Sequence, residues 1–151
     1  DITMPDSAVT HAIKEVQKIL GFIPENTTFL QPTSPLRRIQ DIIHCNTLLE
    51  QDSKFNSVIS VHKSHDFFWS NSENGKYLPS YGEIRPRRQD YFQYVENGSI
   101  YVTRSKYFIK KNNRIIPEST IYELPIEYSY QIDSPMDLEW LEFIGKKLKY
   151  E

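Results

Sequence analysis

"FLQPTSPLRRIQDI", residues 29–42, puts two prolines, two hydroxyls and a glutamine directly after the apolar end of "TTFL". Proline fixes φ and removes a backbone donor, so Pro32 and Pro35 make a rigid turn that neither strand nor helix tolerates internally. Before the turn, the short β-branched run reads as a buried strand. After it, "DIIHCNTLLEQ" predicts a helix opening at Asp41, with Ile42, Ile43 and Leu49 facing inward. "SVISVH" then reads as a second buried strand. This alternation implies a parallel sheet covered by helices. In such sheets ligands bind outside the carboxyl ends of the strands, so Gln31, Thr33 and Ser34 stand where a polar ligand would be held.

Upstream, "PDSAVTHAIKEVQKILG" places Val9, Ile13, Val16 and Leu20 on one helical face, with Asp6 or Ser7 to cap its start and Gly21 its end. Downstream, residues 65–92 are aromatic, polar and punctuated by turns, without helical periodicity. They predict a β-rich excursion from the main sheet. "SIYVT" resumes a strand and "RSKYFIKKN" a short helix. "TIYELP" and "SYQID" read as strands, and "SPMDLEWLEFIGKKLK" as a final amphipathic helix opened by a Ser134–Asp137 capping box.

The chain has 151 residues, enough for one domain with a sizeable core and too few for two. Charged residues at 25% and aromatics at 13% fit a globular chain rather than a disordered one. A net charge of −2 supplies no field to recruit nucleic acid or an anionic membrane. No apolar run approaches the roughly 20 residues of a membrane helix. No signal-peptide pattern is present and the single cysteine, Cys45, excludes an internal disulfide. A cytoplasmic protein is expected. The chain opens at Asp1 rather than methionine, which predicts a piece of a longer protein.

Polar residues at predicted strand ends are the site candidates: Gln31, Thr33 and Ser34 after the first strand, Asp133 after "SYQI", and Asn97 and Tyr101 around "SIYVT", with Arg85, Arg87 and Arg88 upstream. Taken singly, each has an ordinary account. Gln31 satisfies backbone beside the prolines, Asp133 caps a helix, the arginines form a solvated face and Asn97-Gly98 makes a turn. His11, His44, His62 and His65 lack metal-ligand spacing, and Cys45 reads as core filling. There is no catalytic triad, phosphate-cradling glycine loop or paired-cysteine motif.

Together, "LQPTSPLR", "RRQDYFQYVENGSIYV" and "IDSPMDLEWLE", in this order, resemble the cytidylyltransferases that activate sialic acids, the CMP-sialic acid synthetases. The resemblance runs from about the first helix to the last. It implies an α/β nucleotide-diphosphosugar transferase fold, three-layered and Rossmann-like, whose β-rich excursion at about 65–92 builds a homodimer. The implied reaction joins CTP to a nonulosonic acid sugar, giving CMP-sugar and pyrophosphate, with Mg²⁺ as cofactor. By position, Gln31, Asn97 and Tyr101 correspond to sugar-contacting residues, and Ile115 and Ile116 to apolar residues around the acyl group. Arg88 corresponds to an arginine placed for anions and Asp133 to a metal-holding aspartate. Where many relatives carry Asp-x-Asp, the first position here is Gln131. The family's N-terminal segment, with its first strand and triphosphate-gripping loop, has no counterpart in these residues, so the 151 residues alone are expected to be inactive. Two alternatives stand beside this reading: a guanylyl-type transferase of the same fold, and an inactive binding or dimerisation module.

Overall fold

A computed structural model describes residues 5–72 and 74–150. The elements are α1 (Pro5–Leu20), β1 (Asn26–Leu30), α2 (Ile39–Gln51), β2 (Ser57–Ser64), β3 (Trp69–Asn71), β4 (Tyr77–Pro79), β5 (Gln93–Arg104), α3 (Ser105–Lys111), β6 (Ser119–Glu123) and α4 (Pro135–Leu148). Short 3₁₀ turns occupy Arg88–Asp90 and Ile126–Tyr128.

The main sheet runs β1-β5-β2-β6. It is mixed, which corrects the expectation of a purely parallel sheet. β2 and β6 are parallel, while β5 is antiparallel to both β1 and β2. The reason is the excursion: it leaves from the carboxyl end of β2 and returns at that end, so β5 must run back down between β1 and β2. β1, β2 and β6 keep the common direction that the alternation demanded.

Period-two side chains divide the core between two faces. Val58, Ile100 and Val102 meet Cys45 and Leu49 of α2 on one face. Ile59, Val61 and Tyr101 meet Phe29 on the other. Each fully buried aliphatic side chain contributes about 1.5–3 kcal/mol, so β2 and β5, buried over most of their length, carry the sheet.

Several local expectations need correction. α2 opens at Ile39, and Asp41 is a fully buried first-turn carboxylate rather than a cap. Arg38 grips it through Nε (2.7 Å) and a terminal nitrogen (2.8 Å), and Tyr122 Oη donates to it at 3.1 Å. Ile43 faces solvent, because α2 lies on the sheet along Cys45 and Leu49. β1 is half-buried, being an edge strand paired only with β5. α1 buries Ile13 but leaves Val16 and Leu20 exposed. "SYQID" is not a strand. After Pro125 the chain makes a 3₁₀ turn and then runs outside the sheet.

The capping box of α4 is complete: Ser134 Oγ accepts from the Asp137 N–H (3.4 Å), and the Asp137 carboxylate accepts from the Ser134 N–H (2.7 Å). α4 docks Leu141 and Ile144 on Leu36, fastening the turn after β1 from above. In the excursion, β3 and β4 form a separate hairpin. Phe67 lies against Tyr81 and Tyr91 (5.1 and 5.2 Å between centroids), with the Arg85 guanidinium 4.5 Å over its ring. Among the described residues no helix is long and apolar enough to cross a membrane.

Candidate functional site

The turn after β1 is tied by its own hydrogen bonds. The Ser34 N–H donates to the Gln31 carbonyl at 3.1 Å, closing the turn, and Gln31 Nε2 donates to Thr33 Oγ1 at 3.0 Å. The Arg37 guanidinium folds back onto the carbonyls of Gln31 and Ser34. Burial holds its pKa below the ordinary arginine value, and the nearby Tyr150 hydroxyl opposes that shift.

Two further segments meet this turn. Within β5, Gly98 has φ +66°, and the register of β2 against β5 shifts between Ile59 and Val61. The Asn97-Gly98 pair is therefore an irregularity inside a strand rather than a turn between strands. A Cβ on Gly98 would lie 2.9 Å from Oε1 at the movable end of Gln131, so it is the left-handed conformation that requires the glycine. Ser34 Oγ donates to the Asn97 carbonyl at 3.2 Å. The Ile132 N–H donates to the Thr33 carbonyl at 2.8 Å. Residues 31–34, 97–99 and 129–132 thus converge at the carboxyl end of β1.

Asn97 is the hub. Only 1% exposed, its Oδ1 accepts from Ser60 Oγ (2.6 Å) and the Ser99 N–H (3.2 Å), while Nδ2 donates to Ser129 Oγ (3.1 Å). Its side chain ties β5 to β2 and to residue 129, while its backbone carbonyl receives Ser34 of the turn after β1. Ser99 Oγ, also buried, has no partner among the described residues.

A second cluster lies on the sheet face beside the first. Phe29 and Tyr101 are register partners on β1 and β5, two residues before Gln31 and three after Gly98. At about 3.3 Å per residue, they sit within roughly 10 Å of the converged turn. Tyr101 Oη donates to Glu96. Burial, and then the bond to Glu96, raises the Tyr101 pKa, partly offset by Arg114. The Arg114 guanidinium lies 4.5 Å over Phe29 and 5.0 Å over Tyr101, and its Nε donates to Asp6 Oδ1 at 2.7 Å. Ile116 is buried and Ile115 half exposed next along the chain.

Two residues named from sequence lie apart from these clusters. Arg88 is on the excursion, 67% exposed and 3.9 Å from Asp66. Asp133 is exposed just before α4; its N–H donates to Asp137 at 3.0 Å, and its carboxylate has no partner among the described residues. Asp137 is committed to the capping box, and no group of three His, Cys, Asp or Glu side chains forms a cation site among those residues. This donor set fits a magnesium ion held largely by substrate phosphates, which needs only one or two protein carboxylates. No protein-built cage is present among the described residues.

Sequence reasoning missed Ser60, Ser129 and Arg114. Serines inside strands carry no spacing signal, and Arg114 sits in an irregular segment. A separate 540 Å³ cleft lies at the opposite, amino ends of the strands, lined by Glu25, Arg104, Lys106 and Tyr107. Arg104 there is already committed to the Leu49 carbonyl (2.9 Å), the Phe55 carbonyl (3.2 Å) and Glu25 (3.3 Å).

Among known proteins, the chain is 32% identical over 117 residues to N-acylneuraminate cytidylyltransferase A of Danio rerio, covering 74% of this chain and 26% of the relative. It is 30% identical over 139 residues to cytidylyltransferase B of the same fish, covering 85% and 31%. The N-acylneuraminate cytidylyltransferase of Escherichia coli is 27% identical over 131 residues, covering 82% and 30%. The chain therefore spans about 30% of the length of these relatives. No family model matches. Its fold is that of 4-diphosphocytidyl-2C-methyl-D-erythritol synthase from Anaerococcus prevotii (TM-score 0.66, 11% identity, 97% of this chain and 67% of that one). It is likewise that of CMP:2-keto-3-deoxy-manno-octonic acid synthetase complexed with CTP (TM-score 0.62, 15% identity, 98% and 70%).

Proposed function

Because these residues fall by sequence in the N-acylneuraminate cytidylyltransferase (CMP-sialic acid synthetase) family, we propose that they form the sugar-binding part of an enzyme transferring CMP from CTP to a nonulosonic acid. The observation carrying this reading is the meeting of "LQPTSP", "NGS" and "QID" at the carboxyl end of β1. In the reaction, the sugar's anomeric hydroxyl oxygen attacks the α-phosphorus of CTP. The bond to the bridging oxygen breaks, pyrophosphate leaves, and the hydroxyl proton passes to solvent or base. Such transfers rest on positioning and charge neutralisation.

Gln31, fixed by its turn, offers an amide to the sugar. Asn97 keeps that turn in register with β5, and Tyr101 with Ile115 and Ile116 walls the sheet-face side. Mg²⁺, when bound, neutralises phosphate charge, and Asp133 is the carboxylate placed to help hold it. Arg88, standing off on the excursion, serves the site of this reading if a homodimer brings a second excursion over the strand ends. The single domain of 151 residues and the dimerising role of residues 65–92 belong to the same proposal.

The test is CMP-sugar and pyrophosphate formation from CTP, magnesium and a panel of sialic, legionaminic and pseudaminic acids. It is run with the longer protein that contains this chain and with the chain alone. Sugar-acid-dependent pyrophosphate release by the longer protein is expected, with none from the chain alone. Release only with GTP and a sugar phosphate would replace this reading by the guanylyl-type one.

A further inference from the structure

Tyr150 stands two residues beyond α4 and reaches back to the segment that follows the Gln31 turn. Pro35, Leu36 and Arg37 form a γ-turn closed by the Arg37 N–H on the Pro35 carbonyl at 3.0 Å. Leu36 at its centre is buried against Leu141 and Ile144 of α4. The Tyr150 hydroxyl spans both ends of this γ-turn. It accepts from the Arg37 N–H at 3.1 Å and donates to the carbonyl of Arg37 or of Pro35, the latter 3.2 Å away. Arg37 carries that anchorage onward, because its guanidinium donates to the carbonyls of Gln31 and Ser34, from Nε to Ser34 at 2.9 Å. Ending α4 does not require this hydroxyl. Lys149 takes the left-handed conformation (φ +51°), and the Lys149 and Tyr150 N–H groups donate to the carbonyls of Lys146 (3.4 Å) and Gly145 (2.9 Å), so the backbone closes the helix by itself. A left-handed residue other than glycine is uncommon. Here it turns the chain so that Tyr150 shares a groove with Pro35, Leu36 and Gly145.

We propose that Tyr150 is a positioning residue for the candidate site: acting through Arg37, it sets the Gln31 turn from the end of α4. Its effect on a ligand rests on the reading of the turn as sugar-binding, and its hold on the turn does not. Ser34 and Thr33 tie the middle of the turn to Asn97 and Ile132. The Gln31 carbonyl is held by the Ser34 N–H and by Arg37, and the Arg37 backbone is held by Tyr150. The hydroxyl thus pins residues 35–37 to a helix whose own place is fixed by Leu36, Leu141 and Ile144. Ordering the turn before the sugar arrives lowers the entropy lost on binding. The hydroxyl therefore acts on affinity for the sugar and not on the chemistry at phosphorus.

The experiment is hydrogen exchange read by peptide mass, with steady-state kinetics, on Tyr150→Phe in the longer protein that contains this chain. Phenylalanine keeps the ring and removes the hydroxyl alone. Expected is roughly threefold or greater acceleration of exchange in residues 29–38, the scale of one lost net hydrogen bond. Exchange in residues 57–64 and 135–148 should be unchanged and Tm little moved. KM for the sugar acid should rise by a similar factor while KM for CTP stays the same, a split that a general loss of stability would not produce. Exchange in residues 29–38 as slow as in the wild type overturns the proposal, and so does acceleration spread equally over α4 and β2. Faster exchange of the turn with an unchanged KM for the sugar acid overturns the positioning role. A wild-type protein that forms no CMP-sugar counts against the functional reading, and the exchange result then decides for or against the hold of Tyr150 on the turn.

Discussion

Asn97 is a buried side chain that ties elements together at the candidate site. Its amide joins Ser60, Ser129 and the Ser99 N–H, and its carbonyl receives Ser34. Asn97→Ala would take one of two partners from each of the buried Ser60 and Ser129 hydroxyls, and the side-chain acceptor from the Ser99 N–H, so we expect a loss of roughly 2–4 kcal/mol of stability. That is a fall of about 2–4 °C in Tm per kcal/mol for a chain of this size. An unchanged melting curve would return Asn97 to a purely ligand-contacting role. Arg88 is expected to behave in the opposite way. It is two-thirds exposed, with its acid partner near the limit of an ion pair, so Arg88→Ala should change stability by less than about 0.5 kcal/mol. On the proposed function it should lower CMP-sugar formation markedly. Full activity with a lowered Tm would make it a structural residue of the excursion. Asp133→Asn belongs with Arg88, since its exposed carboxylate has no described partner. We expect magnesium-dependent turnover to fall by orders of magnitude with thermal stability almost unchanged, and an equally active variant would retire it as a metal ligand. Cys45 is inert by contrast: fully buried, it has its thiol pushed up to about 12 by burial and by Asp41.

At the scale of elements, α4 is where sequence and structure agree most closely. Its capping box is local, and Ser134 and Asp137 can find each other without the rest of the fold. Ser134→Ala should cost about 1 kcal/mol, read as a lower urea midpoint. Backbone and hydroxyl donors from Asp133 and Ser134 hold the Asp137 carboxylate below its ordinary pKa. A carboxylate depressed in the folded state adds stability that is complete above its unfolded value, about 3.9, and that fades as pH falls through the folded value. Acid unfolding of α4 should therefore steepen below about pH 4 and lose that steepening in Asp137→Asn. Elsewhere, local pattern was a weaker guide. The apolar stripe of α1 was legible, but how far the sheet extends beneath it was not, so Val16 and Leu20 stand exposed. "SYQID" has strand-like composition, yet Pro125 and the inward pull of Ser129 hold it outside the ladder. The "LQPTSP" turn was readable as a site because two prolines allow it so few conformations.

For the whole molecule, strand direction was the hardest feature to read. It depends on where a 28-residue excursion delivers the chain, and nothing local encodes that. The convergence of three distant segments was equally hidden from spacing, because serines and an asparagine within strands look like ordinary strand residues.

The excursion itself raises the question of what covers it. Phe67 is settled inside the excursion, against Tyr81 and Tyr91. Trp69 and Tyr77 are 57% and 66% exposed, Ile84 is 86% exposed, and Phe68 and Leu78 also face outward. These residues sit in or beside one two-stranded hairpin, which is marginal alone in water and gains most from a partner surface. The register puts Trp69 and Tyr77 on one face of the hairpin, and exposed aromatics of that kind are what the buried centre of an interface uses. A second copy of the same hairpin is the occupant expected of a closed two-fold contact. We therefore expect twice the monomer mass of 17.9 kDa by light scattering at micromolar concentration. Replacing Trp69 and Tyr77 by serine should give a monomer whose main sheet still melts cooperatively, because neither residue touches the Val58–Ile100–Val102 core. Tryptophan emission should shift to the red as protein is diluted through the dissociation range, since Trp69 passes from interface to water. A monomer at all concentrations with Trp69 still exposed would mean that the hairpin meets some other surface. A doubly substituted variant that stays dimeric would place the interface elsewhere on the molecule.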